Sequence, residues 1–312
     1  MSSRRLGVSG AMALLLILST AAPALASDLA GYLEEADEAV YSGRKIVITV
    51  WDGDSMYALL DIEHAAGMTV VDRHGTDVMV GRGKLRPLAT ADGAIQFTEW
   101  TEPVARGKYR AVEAGYRDHG GRPAEVIEIM EGELLRARIM FDDDTYAPVV
   151  TQVFDGTGRL FRYSSMVEFA PNTVDLPNPQ QIEEIPYEVA VPAEAVALRP
   201  TVGGYDLVDV YVGPEDVSQG FYTDGLFSFS LFALAGRADV GTMADTVIHR
   251  SRGSEYRLVP AATEVWTLWN APGETFVLVG DLPPDHLDDV LADLPRPERR
   301  NWFQRAWHAL FG

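Results

Sequence analysis

The sequence predicts an α+β protein in two parts, a larger antiparallel sheet with helices followed by a smaller antiparallel β+α domain. Three observations carry this. Between Arg44 and Phe169, short apolar runs alternate with turn residues, the pattern of strands that pair with their neighbours in sequence. Prolines at 171, 177, 179, 186, 192 and 200 then leave few runs able to form a ladder, which marks a linker. Beyond them strands resume, and Leu287, Val290, Leu291 and Leu294 follow Pro283-Pro284 at helical spacing. At 312 residues and 47% hydrophobic content the chain can bury a core in each part. The expected boundaries are 1–26 for an export signal, 27–170, a linker at 171–200, 201–295, and a tail at 296–312.

Arg4-Arg5, an apolar run ending near Leu18 and Ala24-Leu-Ala26 form the pattern of a secretory signal cleaved after Ala26. An uncleaved anchor is the alternative. The expected location is periplasmic or otherwise extracytoplasmic. Leu29, Tyr32, Leu33, Ala36, Ala39 and Val40 then repeat at helical spacing, with Gly43 as the expected stop. Strands are expected at 46–51, 56–60, 68–71 and 77–80. A second series runs through 109–116, 124–130, 134–141, 148–154 and 159–169, and its tight links make the last four a hairpin meander. In 134–141, Leu135, Ala137, Ile139 and Phe141 share an apolar face, while Leu134, Arg136, Arg138 and Met140 share a partly wet one.

In the second part, Asp224-Gly225 reads as a two-residue type I′ hairpin turn, since Gly takes positive φ freely and Asp tolerates it. After it Phe227, Phe229 and Leu231 point one way, and Leu226, Ser228, Ser230 and Phe232 the other. The serines make the second face polar enough to be a partner surface.

Tyr222, Asp224, Gly225, Leu226, Ser228, Ser230 and Phe232, followed further on by Val279-Gly-Asp-Leu-Pro283, resemble the C-terminal domain of the MucB/RseB family of extracytoplasmic sigma-factor regulators. Asp144-Thr145, the strand 148–154, Asp155-Gly156-Thr157-Gly158-Arg159 and Glu168-Phe169 are similar to the N-terminal domain of that family, itself like lipoprotein carriers of the LolA type. The resemblance implies a LolA-like curved antiparallel sheet with an apolar cavity. It also implies an exported, non-enzymatic regulator that binds the exported region of a single-span membrane anti-sigma factor and senses an acyl chain. On that reading Tyr222, Asp224, Gly225, Leu226, Ser228 and Ser230 are candidates for partner contact. A lipid or lipoprotein carrier of the envelope is the alternative.

The β-rich first part carries Trp51, Met56, Met68, Met79, Met140 and Phe141, either as ordinary core or as the lining of an adaptable lipid cavity, because thioethers repack around flexible tails. In the tail, Trp302, Phe303, Trp307 and Phe311 fall on one helical side behind Arg299-Arg300. That segment either docks on its own domain or a partner helix, or lies on a membrane surface with its aromatic side down.

Little else points to chemistry. There is no cysteine, so disulfides, thiolate metal sites and thiol catalysis are excluded. The six histidines are scattered without metal-ligand spacing, and the acidic turns at 52–54 and 142–144 do not continue into complete Ca²⁺ loops. No cofactor is expected. Removal of Arg4 and Arg5 leaves 24 basic against 46 acidic side chains, a net −22, which opposes nucleic-acid binding.

Overall fold

Ten strands from the first part hydrogen-bond into one antiparallel sheet and eight from the second into another. The computed structural model describes residues 26–27, 29–65, 68–72, 78–82, 89–90, 93–94, 108–174, 198–212, 218–237 and 246–298. The expected export signal before Ala26, most of the proline-rich linker and the aromatic tail, with Trp302, Phe303, Trp307 and Phe311, lie outside the described residues.

The first part comprises β1 (Ala26–Ser27), α1 (Leu29–Glu38), β2 (Tyr41–Trp51), β3 (Asp54–Ala65), β4 (Met68–Asp72), β5 (Val78–Arg82), a small pair β6 (Ala89–Thr90) and β7 (Gly93–Ala94), then β8 (Tyr109–His119), β9 (Arg122–Glu131), β10 (Leu134–Asp142), β11 (Pro148–Phe154) and β12 (Leu160–Pro171). The sheet order is β1-β8-β9-β10-β11-β12-β2-β3-β4-β5. The predicted meander of the last four strands is there as β9 to β12, and β8 joins it by pairing with β9. The long-range step is the return of β12 to β2, from Arg162↔Thr49 to Pro171↔Tyr41, which sequence patterning does not show. Gly43 is not the helix stop: α1 ends five residues earlier, and Gly43 sits inside β2 at a register shift in β12. A Cβ there would stand 2.0 Å from the Glu168 carbonyl oxygen, so glycine permits the close approach of the two strands. The acidic turn at 142–144 is structural, since buried Asp142 takes two hydrogen bonds from Arg122 (2.6 and 2.9 Å) and caps Thr145.

The second part comprises β13 (Thr201–Val202), β14 (Tyr205–Val212), β15 (Ser218–Thr223), β16 (Ser228–Ala235), β17 (Val247–Ser251), β18 (Ser254–Pro260), β19 (Val265–Ala271), β20 (Glu274–Gly280) and α2 (Pro284–Asp293). Its order, β13-β14-β15-β16-β20-β19-β18-β17, places the final strand beside the hairpin strand β16. Proline in the first turn of α2 leaves no orphan donor at that position, and Leu287, Val290 and Leu291 bury one side of the helix.

A helix of ten residues is about 15 Å long and about 10 Å wide, while ten strands at about 4.8 Å spacing make a far broader face. Among the described residues neither sheet is covered by its own helix. One apolar cluster therefore runs from Trp51, Ile127, Ile139 and Phe141 of the first sheet into Tyr205, Phe227, Phe229 and Leu287 of the second. A separate cluster with Tyr41, Val47, Leu60, Ile62 and Met166 stays within the first sheet. The sheets divide at the proline-rich stretch; the core does not.

Candidate functional site: a polar seam between the sheets

The hairpin residues singled out in the sequence fold into this shared interior. β15 and β16 pair up to Thr223↔Ser228, so the connection holds four residues and not the expected two. Only Gly225 takes positive φ (89°), and Asp224 is not in the left-handed region. Asp224 works through its side chain instead. Its Oδ1 accepts from the N–H groups of Leu226 (3.0 Å) and Phe227 (2.9 Å), while Thr223 Oγ1 accepts from Gly225 N–H and donates to the Phe227 carbonyl.

That leaves Asp224 Oδ2 facing the first sheet, where it takes the Lys108 ammonium and the Tyr109 hydroxyl (2.6 Å). The carboxylate is 1% exposed, so this is a buried charge neutralised across the junction. Tyr109 also meets the Phe227 ring edge-on, and Lys108 Nζ lies 5.1 Å from the centre of the Tyr205 ring. Next to it, Arg136 Nη1 donates to Asp285 Oδ2 (2.7 Å) at the start of α2, and Arg136 Nε donates to Glu131 Oε2 (2.6 Å). Asp285 Oδ1 accepts from Gly156 N–H, in the β11–β12 turn. Arg136 thus belongs to the junction and is buried, a correction to the partly wet face expected from alternation.

His286 closes this group. A hydrogen bond of 2.6 Å joins its Nδ1 to Tyr205 Oη, and Nε2 lies 3.4 Å from Glu131 Oε2. Burial, reinforced by the Lys108 charge, lowers its pKa and favours the neutral ring. Burial likewise raises the phenols of Tyr109 and Tyr205.

The second motif stretch meets the first at the other end of the seam. A Cβ on Gly280 would stand 2.5 Å from both Phe229 Cβ and the Ser228 carbonyl, so glycine lets β20 close on β16. Asp281 Oδ1 accepts from Ser228 N–H (2.8 Å). Burial pushes its carboxyl up to about 6, although the Arg162 guanidinium and that N–H act the other way. Arg162 reaches over from β12, donating to Thr49 Oγ1 (2.9 Å) and weakly to the Asp281 carbonyl (3.4 Å), and Thr49 Oγ1 donates to the Ala262 carbonyl (2.6 Å).

The serine face is not an exposed surface. Tyr222, Ser230, Asp224, Ser228 and Leu226 are between 0% and 5% exposed, and Gly225 is buried with them. Ser230 Oγ accepts from Gln219 of β15, and Ser228 N–H is held by Asp281, which follows β20. Of the residues expected to line one lipid cavity, Trp51 and Phe141 belong to the shared cluster, Met56 packs on it, and Met140 packs on the other. Trp51 packs edge-on against Phe161 and His249, the latter on β17 of the second sheet. Phe141 stacks on Tyr32 of α1. Met68 and Met79 lie on β4 and β5, and their side chains are outside the described residues. Sequence reasoning missed Lys108, Tyr109, Glu131, Asp285 and His286. A charged residue in an otherwise alternating strand, Arg136, was the one available signal.

Among the described residues no group of three or more histidines and acids could hold a metal ion, and no helix is long and apolar enough to cross a membrane. Fold and seam define a class: a protein of two antiparallel sheets whose junction is filled by hydrogen-bonded charges engaged with one another. The chain is similar to MucB, at 22% identity over 89% of this chain and 99% of that one, with a TM-score of 0.49. It is similar to MucB in the complex structure of Pseudomonas aeruginosa MucA/MucB at 20% identity, covering 86% and 98% of the two chains, TM-score 0.47. A LolA superfamily protein from Nitrosomonas europaea matches at 11% identity over 83% of this chain and 97% of its own, TM-score 0.21. No protein-family model matches, and no curated protein matches.

Proposed function

We propose that this chain is an exported, non-enzymatic regulator of MucB/RseB type that binds the exported region of a single-span anti-sigma factor. One observation carries the reading. The two stretches that resemble that family, 222–232 and 279–283, are far apart in sequence yet meet in one seam, where Asp281 holds Ser228 and Asp224 holds the first sheet. Because these residues are interior, their role is to set how the two sheets sit together, and partner contact falls to surfaces that this arrangement presents. A partner or ligand that prefers one arrangement shifts the population toward it.

The test is capture from the exported fraction with the tagged chain after crosslinking. A single-span protein with a cytoplasmic sigma-binding part is the expected catch, and Asp224→Asn should recover less of it. Repeated recovery of no such protein would remove the reading. The carrier alternative predicts a different outcome, namely stoichiometric co-purification of lipid with no protein partner.

A further inference from the structure

The first sheet and α2 pack on one face of the second sheet, where Phe229, Leu231 and Leu278 join Leu287 and Val290 in the shared cluster. The opposite, outer face is set by register. Phe232, Val277 and Leu268 lie side by side across β16, β20 and β19, with Val279 beside Trp266 in the next row. Along 230–234, 275–279 and 266–270 there is no charged residue, although 23% of the chain is charged. An antiparallel sheet with a solvated face alternates apolar and polar side chains, and these three strands do not. Phe221 and Leu268 on that face are buried yet belong to neither apolar cluster, while Phe232, Val277 and Val279 are half-buried and Trp266 is exposed. The helices among the described residues are α1, stacked through Tyr32 on Phe141 of the first sheet, and α2, on the inner face, so neither covers the outer one.

The chain itself leads there. After α2 the Pro295 carbonyl accepts from Trp269 Nε1 (2.8 Å), Glu298 N–H donates to the Asn270 carbonyl (2.9 Å), and the Glu298 carboxylate meets Arg237 (2.6 Å), just past the end of β16. Glu298 is therefore held at the strand ends that border the uncharged surface, and residues 299–312 follow it. In them Trp302, Phe303, Ala306, Trp307, Leu310 and Phe311 recur on one helical side. Ten helical residues are about 15 Å long, and four neighbouring strands at about 4.8 Å spacing span about 14 Å, so the segment matches the width from β15 to β19. Residues 299–301 reach at most about 10 Å, which starts that segment beside the strand ends. Attachment at Glu298 makes the contact intramolecular and favours it over a free competitor. The net charge of −20 works against the other apolar surface open to it, an anionic bilayer.

We propose that residues 302–311 form a helix that lies on the outer face of the second sheet, with Trp302, Phe303, Trp307 and Phe311 against Phe232, Val277, Val279 and Trp266. The tail is then a built-in cover for an apolar surface. This contact is independent of the anti-sigma reading, because it is measured on the protein alone.

The chain has no cysteine, so introduced thiols report on it in the full-length protein. Val279→Cys should react slowly with a maleimide, and adding Trp307→Glu should speed labelling by about tenfold, the loss of one buried aromatic anchor. Adding Trp307→Phe should leave it slow, and Tyr57→Cys, exposed on the first sheet, should label at one rate with or without Trp307→Glu. Leu234→Cys, on the same face of β16, repeats the test should Val279→Cys fold poorly. Val277→Cys with Ala306→Cys should crosslink within one chain through a short bismaleimide, and Tyr57→Cys with Ala306→Cys should not. Labelling on the outer face that ignores Trp307→Glu refutes the contact, as does failure of the Val277 crosslink. Crosslinks joining two chains place the tail on a second copy, and flotation of the full chain with phosphatidylglycerol vesicles, lost in Trp307→Glu, places it on a membrane. Either result overturns the proposal.

Discussion

Arg136 and Lys45 are both cations on the first sheet with their side chains turned inward, and the two regions around them are built in opposite ways. At the seam, Arg136 is met by Glu131 on its own sheet and Asp285 on the other, and Asp224 a short distance away is met by Lys108 and Tyr109. On the floor of the second cluster, Lys45 is met by Leu60 and Met166. A junction with its charges paired within the chain recovers the cost of burying them; a cation among aliphatic groups carries that cost unrelieved. Charge burial alone therefore does not set the cost. Whether the chain itself supplies the partner does.

The largest expected effect tests the seam. Asp224→Ala leaves Lys108 with only Glu131, 3.8 Å away, and leaves the Tyr109 hydroxyl and the Leu226 and Phe227 N–H groups without their acceptor, so it should destabilise by about 3 kcal/mol, read by denaturant unfolding. Gly280→Ala forces a methyl group against Phe229 and the Ser228 carbonyl and should cost about 1–3 kcal/mol in the same assay. Loss of stability from Gly280→Ala with full retention of the seam contacts would mean that the two motif stretches act separately.

The contrasting change has the opposite sign. Lys45→Met should stabilise the protein by about 1 kcal/mol in the same unfolding assay, the scale of relieving one partly desolvated charge. A destabilisation there would place Lys45 with Arg136 as a structural cation and collapse the comparison.

The remaining effects depend on pH. The pKa of His286 is lowered in the fold, so its contribution is fully present above the unfolded value of about 6.5 and is lost as pH falls below it. Asp281 works in reverse: with its folded pKa raised to about 6, its ionisation disfavours the fold above that pH, and the penalty is relieved as pH falls toward the unfolded value. Asp281→Asn should accordingly stabilise at pH 8, by at most about 3 kcal/mol, and by almost nothing at pH 4. His286→Gln should flatten the loss of stability between pH 7 and 5. Thermal melts across that range check both.

Much of the fold was legible because it depends on neighbours in sequence. The meander from β9 to β12 follows from alternation and from turns such as Asp155-Gly156-Thr157-Gly158, and α2 follows from Pro284 and its leucine spacing. The candidate site was legible only in part. Asp224 and Asp281 stood out as motif residues, but their burial did not, because the alternation that placed Ser228 and Ser230 on an outer face says nothing about what lies over that face. Gly43 misled for a related reason: a glycine after a helical pattern reads as a stop, and the strand approaching it, β12, comes from more than a hundred residues away.

By itself the sequence determined the α+β class, the local strands and turns, and the absence of thiol chemistry, since each depends on side-chain type and short-range periodicity. The tertiary structure decided the rest: the pairing of β12 with β2, the continuity of the apolar interior across two sheets, and which buried charges find partners. Those are matters of long-range closure. Among the described residues the two ten-residue helices are too small to cover two broad sheets, the sheets share one apolar cluster, and their contact brings Lys108 to Asp224 and Arg136 to Asp285.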